Sequence, residues 1–237
     1  MDSRGIGERF RGLSTPLVAD ACLRLSLPLR LAPPGLSPVV PGSRAAGRVV
    51  PARHYGSVDV FLEAIQGASA GDVLVVDNGG RTDEACVGDL TALEVAAAGM
   101  SGLLVWGLHR DTPELREIGL PVFSYGRCAP GPVRLDPREP GAIALTSARF
   151  GDVLADRTHV VFADDDGAVF APLDRAAELL EAAEDIFRRE RAQADRLRGG
   201  DTLRQQLRFD EYLARRANDP SYTLRRHLRE IGGAIEV

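Results

Sequence analysis

"GDVLVVDNGGRTDEACVGDLTALEVAAAGMSGLLVWGLHRD", residues 71 to 111, decides how this chain folds. "GDVLVVD" is a short apolar run with turn residues on both sides, the pattern of a strand buried on both faces. "NGGRTDEACVG" reads as a loop. "DLTALEVAAAGM" follows as a helix of small residues ending at Gly99, and "GLLVWG" is a second buried strand. Strand, helix and strand in succession predict an α/β core with parallel pairing.

The flanks extend the alternation. Residues 13–27 open with Ser-Thr-Pro, a cap followed by proline at a first helical position. Prolines crowd 28–41, so that stretch is an extended crossing. "SRAAGRVVPARHY" then predicts a strand and "SVDVFLEAIQGAS" a helix. Past the core, "TPELREIG" reads as a short helix and "LPVFSYG" as a third strand. From 127 the pattern turns to short β segments, "GPVRL", "GAIAL" and "THVVFADDDGAVFAP", with a tight turn at Asp166-Gly167. Residues 173–198 predict a long helix, and the arginine-rich tail 201–237 two short helices separated by "NDPSY". The expected division is an α/β domain over 1–200, long helix included, and a helical tail over 201–237.

Composition bounds the function. The 237 residues, 44% hydrophobic, suffice for one sizeable domain and an appendage. A formal net charge of −5 gives no global reason to expect nucleic acid. No apolar run reaches the roughly 18 residues of a membrane span. Cys22, Cys86 and Cys128 lack metal-type spacing and read as reduced thiols of a cytoplasmic protein. The chain has no lysine, so all 29 basic residues are arginine. It therefore cannot form a Schiff base through lysine, and carbonyl chemistry here would need a metal, arginine or backbone amides.

Three charges stand out. Asp89 opens one helix, Arg110 and Asp111 follow the next strand, and twenty residues separate Asp89 from Arg110. One helix and one strand fill that gap and return the chain to the same sheet edge. The three can thus converge at the carboxyl ends of neighbouring strands, where open α/β sheets bind ligands. The plainer alternative is three loop charges in a weak surface ion pair. "GDLT", residues 88–91, offers free helix N–H groups to an anion, although Asp89 can equally be an N-cap. "ADDDG", 163–167, reads as a hairpin turn rather than a second metal site. His109 could contact substrate, while His54, His159 and His227 show no ligand spacing. Gly79 and Gly80 make no dinucleotide fingerprint. "LRRHLR" in the tail reads as a solvated helix face rather than a contact for an acidic partner.

Taken together, "GDVLVVDNGG", A-x-x-G-D-L at 85–90, "GLLVWGLHRD" and "GLPVFSYG" resemble the RraA-like family over roughly residues 12–195. That family contains the regulators of ribonuclease activity A and metal-dependent 4-hydroxy-4-methyl-2-oxoglutarate aldolases. The Asp-x20-Arg-Asp arrangement at Asp89, Arg110 and Asp111 is similar to the aldolase branch. The resemblance implies an α/β/α swivelling-domain sandwich with a C-terminal helical extension, assembled as a homotrimer or hexamer. It implies a lyase that cleaves a 4-hydroxy-2-oxo acid to pyruvate, and also decarboxylates oxaloacetate.

In that reading the N–H groups of Gly88, Asp89, Leu90 and Thr91 hold the substrate carboxylate. Arg110 faces the keto oxygen, and Asp111 holds Mg2+ or Mn2+ directly, with Asp89 acting through water. Glu190 of a neighbouring subunit is the expected supporting carboxylate, with Glu181 and Glu184 as alternatives. Neither nucleic acid nor membrane enters. The rival expectation is a non-catalytic regulator that binds a ribonuclease or another protein.

Overall fold

In the computed structural model, which describes residues 1–137 and 144–232, helices Ser3–Phe10 (α1) and Thr15–Arg24 (α2) come first. Two-residue strands Arg30–Leu31 (β1) and Ser37–Pro38 (β2) lie within the proline-rich crossing. Then follow Ala45–Arg53 (β3), Asp59–Gln66 (α3), Val73–Asp77 (β4), Ala85–Val87 (β5) and Asp89–Ala97 (α4). Gly102–Trp106 (β6), Leu108–His109 (β7), Thr112–Ile118 (α5) and Val122–Ser124 (β8) complete the alternating part. Ser147–Phe150 (β9), Val153–Asp156 (β10), His159–Asp164 (β11) and Gly167–Pro172 (β12) are consecutive antiparallel strands. Ala176–Arg198 (α6), Leu203–Gln206 (α7), Phe209–Asn218 (α8) and Leu224–Ile231 (α9) close the chain.

The main sheet has eight strands in the order β1-β12-β11-β3-β4-β6-β8-β2. Its centre, β3-β4-β6-β8, is parallel, as the strand–helix alternation predicts, and the strands outside it are antiparallel. Period-two alternation sends Val50, Leu74 and Leu103 to one face, against Phe61 and Ala64 of α3, Val95 of α4 and Leu115 of α5. Val49, Val75, Leu104, Phe123 and Phe170 point the other way, where Ala148, Phe150, Val153 and Ala155 of the β9–β10 hairpin cover them. Burying each such large side chain contributes about 1.5–3 kcal/mol. With both faces covered, the central strands can be apolar at every position, and β4 is buried throughout.

Some details depart from the sequence reading. The acidic run does form a turn, with Asp165 and Asp166 between the paired Asp164 and Gly167. Asp164 is buried because it accepts the Thr15 N–H at 2.8 Å and the Thr15 hydroxyl at 2.6 Å. "GPVRL", 131–135, is irregular rather than a strand. Residues 141–143 of "GAIAL" lie outside the described residues. Helix α1, which lies ahead of the first element expected from the sequence, is capped by Asp2, which accepts the Gly5 N–H at 2.9 Å, and it buries Ile6 and Phe10. Among the described residues the tail has three helices rather than two.

By internal contacts the chain divides into two compact units, Met1–Leu180 and Glu181–Val237. In the second, Tyr212, Tyr222 and His227 pack together, with ring centroids 5.7–6.2 Å apart. No helix among the described residues is long and apolar enough to cross a membrane.

Candidate active site

The three charges do meet, but not on the main sheet. After β6 the chain turns at Gly107, and β7 pairs in parallel with β5 in a separate two-stranded ladder, Ala85 beside Leu108 and Val87 beside His109. The Arg110 N–H then donates to the Val87 carbonyl at 3.0 Å. This ladder places the starts of α4 and α5 side by side.

Asp111 is left-handed, with φ 58° and ψ 42°, and caps α5, whose first turn contains a proline. That conformation costs a non-glycine residue roughly 1–2 kcal/mol, and aspartate is among the residues that tolerate it best. It turns the carboxylate back towards Gly88. A Cβ at Gly88 would lie 2.2 Å from Asp111 Oδ2 and 3.2 Å from Arg110 Cγ, so only glycine leaves the carboxylate this room. Asp111 Oδ2 is 3.4 Å from the Asp89 nitrogen and 3.4 Å from Arg110 Nε. Asp89 Oδ1 accepts the Leu90 N–H at 2.7 Å.

The cluster faces solvent, with the Arg110 side chain 49% and the Asp111 side chain 33% exposed. Gly88 is the N-cap of α4 and makes no side-chain cap, so the amides of the first turn point into the same space. Leu90 is exposed there and Thr91 is buried. Among the described residues no group of three His, Cys, Asp or Glu side chains is gathered for a metal ion. One chain offers the two carboxylates of Asp89 and Asp111, which suits a hard divalent ion that keeps several waters. Glu190 lies on α6 in the second unit, as do Glu181 and Glu184.

His109 is placed differently from expectation. It is buried, with Nδ1 2.7 Å from the Ser124 hydroxyl and Nε2 3.0 Å from the Thr112 hydroxyl. Both ring nitrogens are thereby taken up by neighbours, and substrate contact is not its role. Burial, assisted by nearby Arg127, pushes its pKa down, so the ring is held neutral.

A buried polar group behind the site has no sequence signature. Glu84 precedes β5, with its side chain only 5% exposed and its Oε1 3.2 Å from both Arg134 Nε and Nη2. Arg134 Nη2 also donates to Asn78 Oδ1 at 3.1 Å, and His54 Nδ1 is 2.8 Å from the same oxygen. Burial lowers the pKa of His54. A carboxylate directly before an apolar run is the single hint, and nothing in the sequence links it to Arg134, fifty residues away.

Comparison with known proteins agrees with this architecture. The sequence profile of the RraA-like family, described as Aldolase/RraA, matches residues 15–170. A protein of Hahella chejuensis (strain KCTC 2396) named "Putative 4-hydroxy-4-methyl-2-oxoglutarate aldolase" is 30% identical over 55% of this chain and 77% of its own length. A protein of the same name from Aromatoleum aromaticum is 32% identical over 54% of this chain and 79% of its own. Among solved structures, an uncharacterised protein from Pseudomonas syringae pv. tomato superposes with a TM-score of 0.71 at 23% identity, covering 85% of this chain and 96% of its own. RraAS2 of Streptomyces coelicolor, described as an unusual member of the RNase ES inhibitor RraA protein family, gives 0.68 at 25% identity over 80% of this chain and 96% of its own. With the profile spanning more than half of its length, the chain belongs to the RraA-like family.

Proposed function

We propose that this protein is a divalent-metal-dependent carbon–carbon lyase that releases pyruvate from a 4-hydroxy-2-oxo acid, and that the same centre decarboxylates oxaloacetate. One observation carries the reading. Asp111, Asp89 and Arg110, from two different strand ends, share one solvent-facing space with the N-terminus of α4, where Asp111 Oδ2 lies 3.4 Å from the Asp89 nitrogen and Asp89 Oδ1 accepts the Leu90 N–H. The names of the relatives at about 30% identity support an aldolase-type lyase.

Asp111 and Asp89 would hold Mg2+ or Mn2+, Asp111 directly and Asp89 through water. Bound there, such an ion supplies Lewis-acid polarisation of the substrate's keto group. The remaining chemistry falls to the chain's own groups. The amides of Gly88, Asp89, Leu90 and Thr91 receive the substrate carboxylate, aided by the helix dipole. Asp89 Oδ1 accepts the Leu90 N–H, and the substrate carboxylate would take that amide in its place. Arg110 donates to the keto oxygen and strengthens its hold as carbon–carbon cleavage leaves an enolate. Charge that develops only in the transition state is where such a donor lowers the barrier. A water held by the carboxylates accepts the C4 hydroxyl proton as the C3–C4 bond breaks, and return of that proton to C3 of the enolate gives pyruvate. With two carboxylates per chain, the third comes from Glu190 of a neighbouring subunit, which makes the working unit a homotrimer or a dimer of trimers.

The test is pyruvate release, followed by reduction to lactate with NADH consumption, across a panel of 4-hydroxy-2-oxo acids and oxaloacetate. Turnover is expected with Mg2+ or Mn2+, to vanish with excess chelator, and to survive borohydride. Full turnover in chelator, or no pyruvate from any of the panel, overturns the reading.

A further inference from the structure

Among the described residues Arg110, half exposed, makes one ion pair, to its neighbour Asp111 at 3.4 Å. A side chain so lightly tied would sample many rotamers unless something beneath it fixes the choice. That support is the backbone at Gly131. A Cβ there would lie 2.7 Å from Arg110 Nη1, so the guanidinium rests directly on a residue without a side chain.

Gly131 belongs to an irregular segment that follows the bridge of Arg127 to His109. Its position comes from three tethers. The Cys128 N–H donates to the His109 carbonyl at 3.0 Å, the Ala85 N–H to the Pro130 carbonyl at 2.9 Å, and the Asp136 N–H to the Tyr55 carbonyl at 2.8 Å. Between the last two lies Arg134, whose guanidinium enters the buried pocket of Glu84 and Asn78 and also pairs with Asp136. Its side chain is 19% exposed against 49% for Arg110, so the inner arginine is fixed and the outer one is seated upon its loop.

We propose that Glu84 and Arg134 are positioning residues for Arg110, acting through the Pro130–Gly131 backbone. The buried pair sets the height of the loop, and the loop sets where the guanidinium meets the keto oxygen. This deepens the lyase reading and rests on it for the role of Arg110. Gly131→Ala and Glu84→Gln disturb the relay at its two ends, one by adding a methyl under the guanidinium, the other by removing the buried charge while keeping its shape.

The experiment is a kinetic cycle on the full-length protein with saturating Mn2+ and oxaloacetate, paired with crystal structures of the wild type and Glu84→Gln. A misplacement of about 1 Å costs on the order of a hundred-fold in rate. Gly131→Ala and Glu84→Gln are each expected to lower kcat by about 10- to 100-fold with KM and Mn2+ dependence little changed. Each is expected to have no further effect in an Arg110→Ala background, because the group they position is gone. In the Glu84→Gln crystal, Pro130–Gly131 and the Arg110 guanidinium are expected to be displaced.

Equal losses with and without Arg110 would mark the pair as merely structural and overturn the proposal. An unmoved loop and guanidinium in the Glu84→Gln crystal would overturn it also, whatever the kinetics. If Arg110→Ala itself leaves kcat unchanged, the lyase reading of Arg110 fails instead, and the crystals still decide the geometry.

Discussion

Gly88→Ala isolates the site from the fold. The new Cβ would stand 2.2 Å from Asp111 Oδ2, a distance real Cβ contacts essentially never show, and 3.2 Å from Arg110 Cγ. The backbone at Gly88 is extended, with φ −150° and ψ −162°, so alanine fits it without torsional strain. Relief must come from the Asp111 side chain, which is one-third exposed and has room to swing outward. Oδ2 has to retreat by about 1 Å, and an off-rotamer side chain costs about 0.5–1.5 kcal/mol. Loss of glycine from the helix N-cap adds about 0.5–1 kcal/mol. The total of about 1–2.5 kcal/mol corresponds to roughly 2–10 °C in Tm for a chain of this size. Turnover should suffer far more, on the order of a hundred-fold for a displacement of that size. The measurement is a melting curve beside kcat against Mn2+ concentration, with the apparent metal affinity expected to weaken. Wild-type kinetics at any metal concentration would refute the placement of Asp111, and a collapse of Tm would refute the claim that only the site is touched.

Three further outcomes are expected. Arg110→Ala should lower kcat by about a hundred- to thousand-fold, and Arg110→Lys should recover only part, because an ammonium lacks the planar fork; Asp111→Ala should be partly rescued by added Mg2+ or Mn2+. Light scattering should give a trimer or a dimer of trimers, since the proposed site takes its third carboxylate from a neighbouring subunit; a fully active monomer would defeat the shared site. His54 and His109 have pKa values pushed down by burial, so as pH falls below about 6.5 the unfolded chain binds protons first. Their contribution to stability is therefore complete above that pH and declines below it, towards the lower folded values. A His109→Gln variant should show a flatter Tm profile between about pH 5 and 6.5, and an unchanged slope would count against the neutral, buried ring.

Hydrophobic periodicity made the core legible. β4 and β6 are apolar at nearly every position because both sheet faces are covered, and α4 and the long α6 follow from their own patterns. The meeting of Asp89 with Arg110 and Asp111 follows from one helix and one strand returning the chain to the same edge. The backbone detail that makes the meeting close was not legible. Asp111 adopts its left-handed turn because β7 intervenes after Gly107, and a two-residue strand carries no periodicity to detect. Glu84 and Arg134 escaped for another reason. Charged residues are expected at the surface, and only tertiary contact reveals that this carboxylate is buried against an arginine fifty positions on. His109 looked available beside two charges, yet alternation along β7 turns its ring inward to Ser124 and Thr112.

The ladder of β5 and β7 has a consequence for how the molecule breathes. It is two short strands joined outside the eight-stranded sheet, so its few hydrogen bonds can part while β3, β4 and β6 stay paired. Amide exchange at Arg110 should then proceed by sub-global opening, ahead of Val75 or Leu104 in the sheet centre; equal protection at all three would show that the ladder opens only with the whole fold. A molecule built this way separates durability from competence. Damage to the cores around Phe61 or Phe150 is expected to lower the temperature at which the protein survives, whereas loosening the ladder is expected to disperse the proposed site while the protein is still folded.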